Sequence, residues 1–213
     1  MSIMADCPKE IIACARELRI PEATINSLGK FLALIEEKDP KTYVGSCKVG
    51  LMAKQAGEVL GLKVDELLFA GSLHDIGKTL IRQEVLNVLT PEEWNRQCKK
   101  EMRQHPEFSY RLLRDFNPYV AEISLRHHRH QKDAYPKKLP PLTPGIDKSE
   151  LPRIEESSLV VSILDCYDAY NRNNGRNKED VMYSSEARKE QLLKDRPAGK
   201  DIIEILYNER ILI

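Results

Sequence analysis

A chain of 213 residues is long enough to bury a substantial core as one large domain. Its 33 Lys and Arg balance 33 Asp and Glu, and that formal net charge of zero favours neither a nucleic-acid nor a membrane partner. No apolar run approaches the roughly 20 residues of a membrane span, residues 1–10 lack a signal-peptide pattern, and the five scattered cysteines contain no CxxC pair; these features exclude a zinc ribbon or disulfide framework and lead to the expectation of reduced thiols in a cytoplasm.

The pattern is helical nearly everywhere. Residues 8–20 and 22–39 both carry apolar positions at spacings of three and four, with Pro21 between them. A third helix is predicted over 45–61 with Gly61 as its C-cap, and a fourth over 63–77, near whose end His74 lies. Residues 91–116 read as one long charged helix or a pair, with Pro91 suited to a first turn and Pro106 marking a kink or a fresh start. Residues 117–131 give a helix ending in a histidine cluster. The proline-rich stretch 132–157 reads as one long irregular loop, followed by an apolar helix from Ser158 and two closing helices broken at Pro197 and Gly199. No period-two strand or internal repeat interrupts this. The predicted class is all-α: a helical bundle with extra N-terminal helices, divided into an extension over 1–41 and a domain over 42–213. The extension's Phe31, Leu32, Leu34 and Ile35 can pack on the same chain or make a homodimer face, and packing on the same chain is the expectation.

Histidine is sparse and clustered. His74-Asp75, His105, His127-His128 and Asp165 each fall at or near the end of a separate predicted helix, where side chains of several helices can converge in a bundle. Imidazole and carboxylate suit a divalent metal, and a carboxylate can bridge two metals about 3.5–4 Å apart. Asp165 follows the apolar run LVVSIL, and a buried acid is costly unless paired or metal-bound. Taken alone, each histidine reads as a surface or satisfied core residue, Asp75 as a cap and Asp165 as an arginine partner. The shared placement of four of the five histidines is what points to a site. His130, the fifth, is expected to face solvent or substrate.

The order HD, H, HH, D, together with LHDIGK at 73–78, LTPEEW at 89–94 and LDCYDAY at 164–170, resembles the HD superfamily of metal-dependent phosphohydrolases. More narrowly it is similar to the HD-GYP phosphodiesterases, which hydrolyse c-di-GMP. The resemblance covers roughly residues 42–213. Its upstream metal-binding histidine is replaced by Gly45 within TYVGSCKV, and the GYP signature appears as HHRHQKDAYP at 127–136, keeping Tyr135 and Pro136. The resemblance implies His74, Asp75, His105, His127, His128 and Asp165 as metal ligands, with Asp75 bridging, and Lys78 as a contact to a phosphate oxygen or the leaving group. It implies one or two ions of manganese, iron, nickel or zinc. Arg129, His130, Lys132 and Tyr135 stand where the substrate would bind. The implied activity is hydrolysis of a phosphodiester or phosphomonoester of a nucleotide, such as a cyclic dinucleotide, by a water that the metal has activated to hydroxide. Gly45 and the altered GYP segment also leave room for an HD domain that binds a nucleotide or protein partner without turnover. Iron-dependent HD-type oxygenation is a third reading.

Overall fold

The computed structural model describes residues 7–88, 93–171 and 184–212, and among them every regular element is a helix. The LTPE part of the LTPEEW stretch, including Pro91 and the helix start expected there, lies outside the described residues. Helix α1 (Cys7–Glu17) leads through Pro21 into α2 (Glu22–Lys38). Helix α3 (Pro40–Leu60) starts five residues earlier than the periodicity suggested, because Asp39 caps it: the carboxylate accepts from the Lys41 amide at 3.1 Å and from the Thr42 hydroxyl at 2.7 Å. Gly61 ends it in the left-handed conformation (φ 67°) that glycine adopts without penalty.

Helix α4 (Val64–Leu73) is the apolar centre of the bundle, with Leu67, Leu68, Ala70 and Leu73 fully buried. It lies close against α3: a Cβ on Gly71 would stand 2.8 Å from the Val49 carbonyl oxygen and 2.9 Å from the Gly50 Cα. The helix predicted through Gly77 instead stops at Leu73, and a 3-10 turn (Ile76–Leu80) follows. After α5 (Gln83–Leu86), the stretch read as one helix or a pair is a pair, α6 (Arg96–Met102) and α7 (His105–Leu113); Pro106 sits in the first turn of α7, where its missing N–H costs no bond.

Helix α8 (Pro118–Arg126) is capped by Asn117, whose side chain accepts from the Tyr119 and Val120 amides. The helix expected to run on to residue 131 ends there, and His127–His130 form a 3-10 turn. The irregular segment is shorter than the prolines suggested. A short 3-10 turn (Lys148–Glu150) passes directly into α9 (Leu151–Asn171), so residues 151–157 are its first two turns. Pro152 is tolerated because it falls in the first turn. Helices α10 (Ser185–Asp195) and α11 (Lys200–Asn208) close the chain on either side of a 3-10 turn at Pro197–Gly199.

One apolar core runs through all of this and takes in the first two helices: Ile11, Ile25, Leu28, Leu32 and Ile35 are buried in the same cluster as Leu67, Ile123 and Ile163. Phe31 meets Phe116 edge to face at 5.2 Å, while Leu34 points outward. The apolar face of α2 therefore packs on its own chain. No helix among the described residues is long and apolar enough to cross a membrane.

Candidate metal centre

Three helices end at the same place. Histidine 74 is the C-cap of α4, His127 is the C-cap of α8, and His105 follows α6 by three residues. The last carbonyls of a helix have no partner within it, and each of these imidazoles takes one. Nδ1 of His74 lies 2.8 Å from the Gly71 oxygen, Nδ1 of His105 2.7 Å from Met102, and Nδ1 of His127 2.5 Å from Ser124. A carbonyl only accepts, so each Nδ1 carries the proton and each Nε2 is directed inward.

The inward atoms converge on Asp75. Its Oδ1 is 3.2 Å from His105 Nε2, and its Oδ2 is 3.4 Å from His74 Nε2 and 2.5 Å from Lys78 Nζ. His74 Nε2 lies 3.5 Å from Asp165 Oδ1 on α9. His105 and His127 present their Nε2 atoms to one another at 3.4 Å. Two ligand groups emerge, His105 with His127 and His128, and His74 with Asp75 and His127, each with donor atoms within 4.8 Å of one another. His128 belongs to the cluster from the 3-10 turn that follows α8, its ring 4.0 Å from that of His127 and 5.0 Å from that of His105 between centroids.

The chemistry of these atoms fits a divalent metal. Asp75 Oδ1 and His128 Nδ1 are buried with no hydrogen-bond partner, and an orphaned buried polar atom is costly. The His105 and His127 lone pairs oppose each other with no proton between them, a conflict that a shared cation removes. Burial drives His105 down to about 4 and His127 to about 3, and pushes His128 well below the ordinary range, which leaves all three neutral and able to ligate. Burial also disfavours charge on His74, but the Asp75 and Asp165 carboxylates outweigh it and raise this imidazole to about 10. Against the same burial, Lys78 and His74 hold Asp75 well below the carboxylate range, and His74 holds Asp165 low.

Gly45, the glycine in place of the upstream histidine, is buried on α3 and offers no ligand. Of the residues expected at the substrate, Tyr135 is the nearest to the cluster: its ring stacks on His128 at 4.5 Å, and its amide donates to the His128 carbonyl at 3.2 Å. Arg103, which the motifs did not indicate, lies over the outer face of that ring at 5.4 Å. Arg129 is committed to the Pro136 carbonyl at 2.7 Å, and Lys132 is exposed. His130 does not face open solvent; the 3-10 turn swings it onto α9, where its Nε2 sits 2.7 Å from the Ser158 hydroxyl.

A supporting residue was missed in the sequence. Ser109 donates to the His74 carbonyl at 2.7 Å and accepts from the Gly77 amide at 2.9 Å, joining the HD turn to the helix of His105. Its only sequence signal is position, one turn after His105 on the same face.

Comparisons place this arrangement among known proteins. The HD domain profile matches residues 43–170. A cyclic di-GMP phosphodiesterase of Thermotoga maritima is 33% identical over 147 residues, covering 64% of this chain and 36% of that protein, so the chain spans little more than a third of that relative's length. The HD domain of the L. monocytogenes phosphodiesterase PgpH in complex with cyclic-di-AMP superposes with a TM-score of 0.59 at 20% identity, over 85% of this chain and 93% of that one. A second structure of the PgpH HD domain gives 0.60 at 19% identity, over 85% and 95%. Sequence profile, helical architecture and the HD turn agree: the chain belongs to the HD-domain family.

Proposed function

We propose that this chain is a metal-dependent phosphohydrolase that opens a phosphodiester of a cyclic dinucleotide. The observation that carries the reading is the convergence of the His74 and His105 Nε2 atoms on the Asp75 carboxylate, with His127 Nε2 facing His105 Nε2 and each ring fixed by its own carbonyl. The substrate class is supported by the similarity to the Thermotoga cyclic di-GMP phosphodiesterase and to the Listeria phosphodiesterase domain in complex with cyclic-di-AMP. His105, His127 and His128 would hold one ion and His74, Asp75 and Asp165 a second, from manganese, iron, nickel or zinc. A divalent ion bound there supplies positive charge against the phosphate and acidifies a water to make a nucleophile near neutral pH.

The chain's own groups do the rest. Lys78, partly exposed and paired with Asp75, is placed so that its ammonium can take a phosphate oxygen or the departing alkoxide. Tyr135 keeps its phenolic proton, because burial pushes the hydroxyl up. Its ring stacks on His128 and covers that side of the cluster. The Lys137-Lys138 pair adds positive charge on the same exposed segment.

The test is hydrolysis of a generic aryl phosphodiester, then of c-di-GMP and c-di-AMP, by manganese-loaded protein. Turnover that Asp75→Ala reduces by more than about a hundredfold supports the proposal. Gly45, which leaves α3 without a ligand, favours a second reading, binding without turnover. A tight cyclic dinucleotide complex that yields no linear product would select it.

A further inference from the structure

The turn that carries His127 and His128 is held by charges that touch neither imidazole. Arg126, immediately before it, is 3% exposed, and Glu122, one helical turn earlier, is 1% exposed. The two form a buried ion pair. Arg126 Nε also donates to Glu155 on α9 at 3.0 Å, and its guanidinium reaches the Glu122 carbonyl at 3.2 Å. The other end of the turn is tied to the same stretch of α9: His130 meets Ser158 at 2.7 Å and Glu155 at 4.0 Å. Glu155 thus spans the turn from both sides, with the two clustered histidines between its contacts.

Glu122 extends the hold to two further elements. It accepts from the Thr143 amide at 2.7 Å and from the Thr143 hydroxyl at 2.6 Å, and that hydroxyl lies 3.1 Å from the Tyr110 hydroxyl on α7. One buried network therefore connects α7, which presents His105, α8 with its histidine turn, and α9, which presents Asp165. A buried ion pair seldom adds net stability over an apolar replacement, and its best-attested use is to specify one geometry. His127 and His128 both stand in the turn where α8 stops, with ring centroids 4.0 Å apart, so their placement depends on how that turn is held.

We propose that Glu122 and Arg126 are positioning residues of the cluster, a buried pair that acts through Glu155 to set the direction in which the His127–His128 turn presents its imidazoles. The inference rests on the metal reading above. Groups outside the ligand set that orient the ligands typically change metal affinity 10–100-fold when removed.

The experiment is a Co(II) titration of the whole chain, read by the visible absorption of the bound ion, beside a thermal melt of each protein. Removing one member strands a buried charge, so the main variant replaces both: Glu122→Gln with Arg126→Met keeps the acceptor for Thr143 and deletes the pair. The second variant, Glu155→Gln, alters a carboxylate that is 44% exposed and so spares the fold. The expected result is a Co(II) dissociation constant raised by about tenfold and a changed absorption spectrum in both, with the Glu155→Gln melt unmoved. Arg126→Lys, which keeps the charge, should recover part of the affinity that Arg126→Met loses. Wild-type affinity and spectrum in a folded double variant would overturn the proposal. The same result in Glu155→Gln would overturn it even if the double variant did not fold. A wild-type chain that takes up no Co(II) would remove the metal reading and this inference together, whereas metal uptake with undiminished variants removes only the inference.

Discussion

The buried imidazoles of this cluster set how the stability of the metal-free protein follows pH. An unperturbed histidine titrates near 6.5. His105 and His127 are held at about 4 and about 3, so below pH 6.5 the unfolded chain binds protons that the folded chain refuses, and stability falls on acidification. His74 is raised to about 10; its contribution is complete below 6.5 and is lost as the pH rises through about 10. The metal-free protein should therefore melt highest near pH 6.5 and lower on both sides, as a pH series of thermal melts would show. Because His74 holds a proton at pH 8 that a metal must displace, binding should release about one proton there. Calorimetry in buffers of different ionisation enthalpy reads that number directly. Gly45→His restores an imidazole on α3. It should raise both the metal-to-protein ratio and turnover, and no change in either would remove Gly45 as the limit.

Helix ends, rather than helices, build the site. The HD turn rests on α7 so closely that a Cβ on Gly77 would stand 2.0 Å from the His105 carbonyl oxygen and 2.6 Å from the Ser109 amide nitrogen. Both are backbone atoms and cannot swing away. Gly77→Ala should cost about 2 kcal/mol in urea unfolding, because overpacking against rigid neighbours costs about 1–3 kcal/mol; under the proposed metal reading it should also weaken metal binding, since the atom displaced belongs to His105. Ser109→Ala leaves the His74 carbonyl and the Gly77 amide without a partner and should cost about 1–3 kcal/mol.

At the scale of the molecule, the first two helices are part of the core and not an appendage. Ile11, Ile25, Leu28, Leu32 and Ile35 are all buried against the remainder. Each is worth about 1.5–3 kcal/mol of apolar burial, and a domain's whole margin is about 5–15 kcal/mol. A chain shortened to begin at Pro40 should lose its cooperative melt and expose apolar surface, which circular dichroism and dye binding would register. Full retention of the melt would show that residues 40–213, which include the family match at 43–170, fold without α1 and α2.

The sequence by itself determined the all-α class, the order of the helices and the identity of the converging groups. Period-three-and-four patterning, Pro21, Pro106 and Gly61 are local signals, and His-Asp, His and His-His are chemistry written in residue names. Where helices stop was less legible. No proline or glycine stands at 74 or 127 to stop the helix, yet the chain leaves the α-helix there, and each imidazole takes a late carbonyl of the helix it ends. The loop at 132–157 was overdrawn for the opposite reason: prolines suggested irregularity, but Pro152 sits in a first turn that accepts it. Only the tertiary structure decided that His130 turns onto Ser158, that Ser109 braces the HD turn, and that Glu122 meets Thr143 across 21 positions of sequence. Periodicity and capping act over a few residues, whereas these contacts join groups tens of positions apart, and no local pattern distinguishes a buried Glu–Arg pair from the exposed i, i+4 pairs common on helix surfaces.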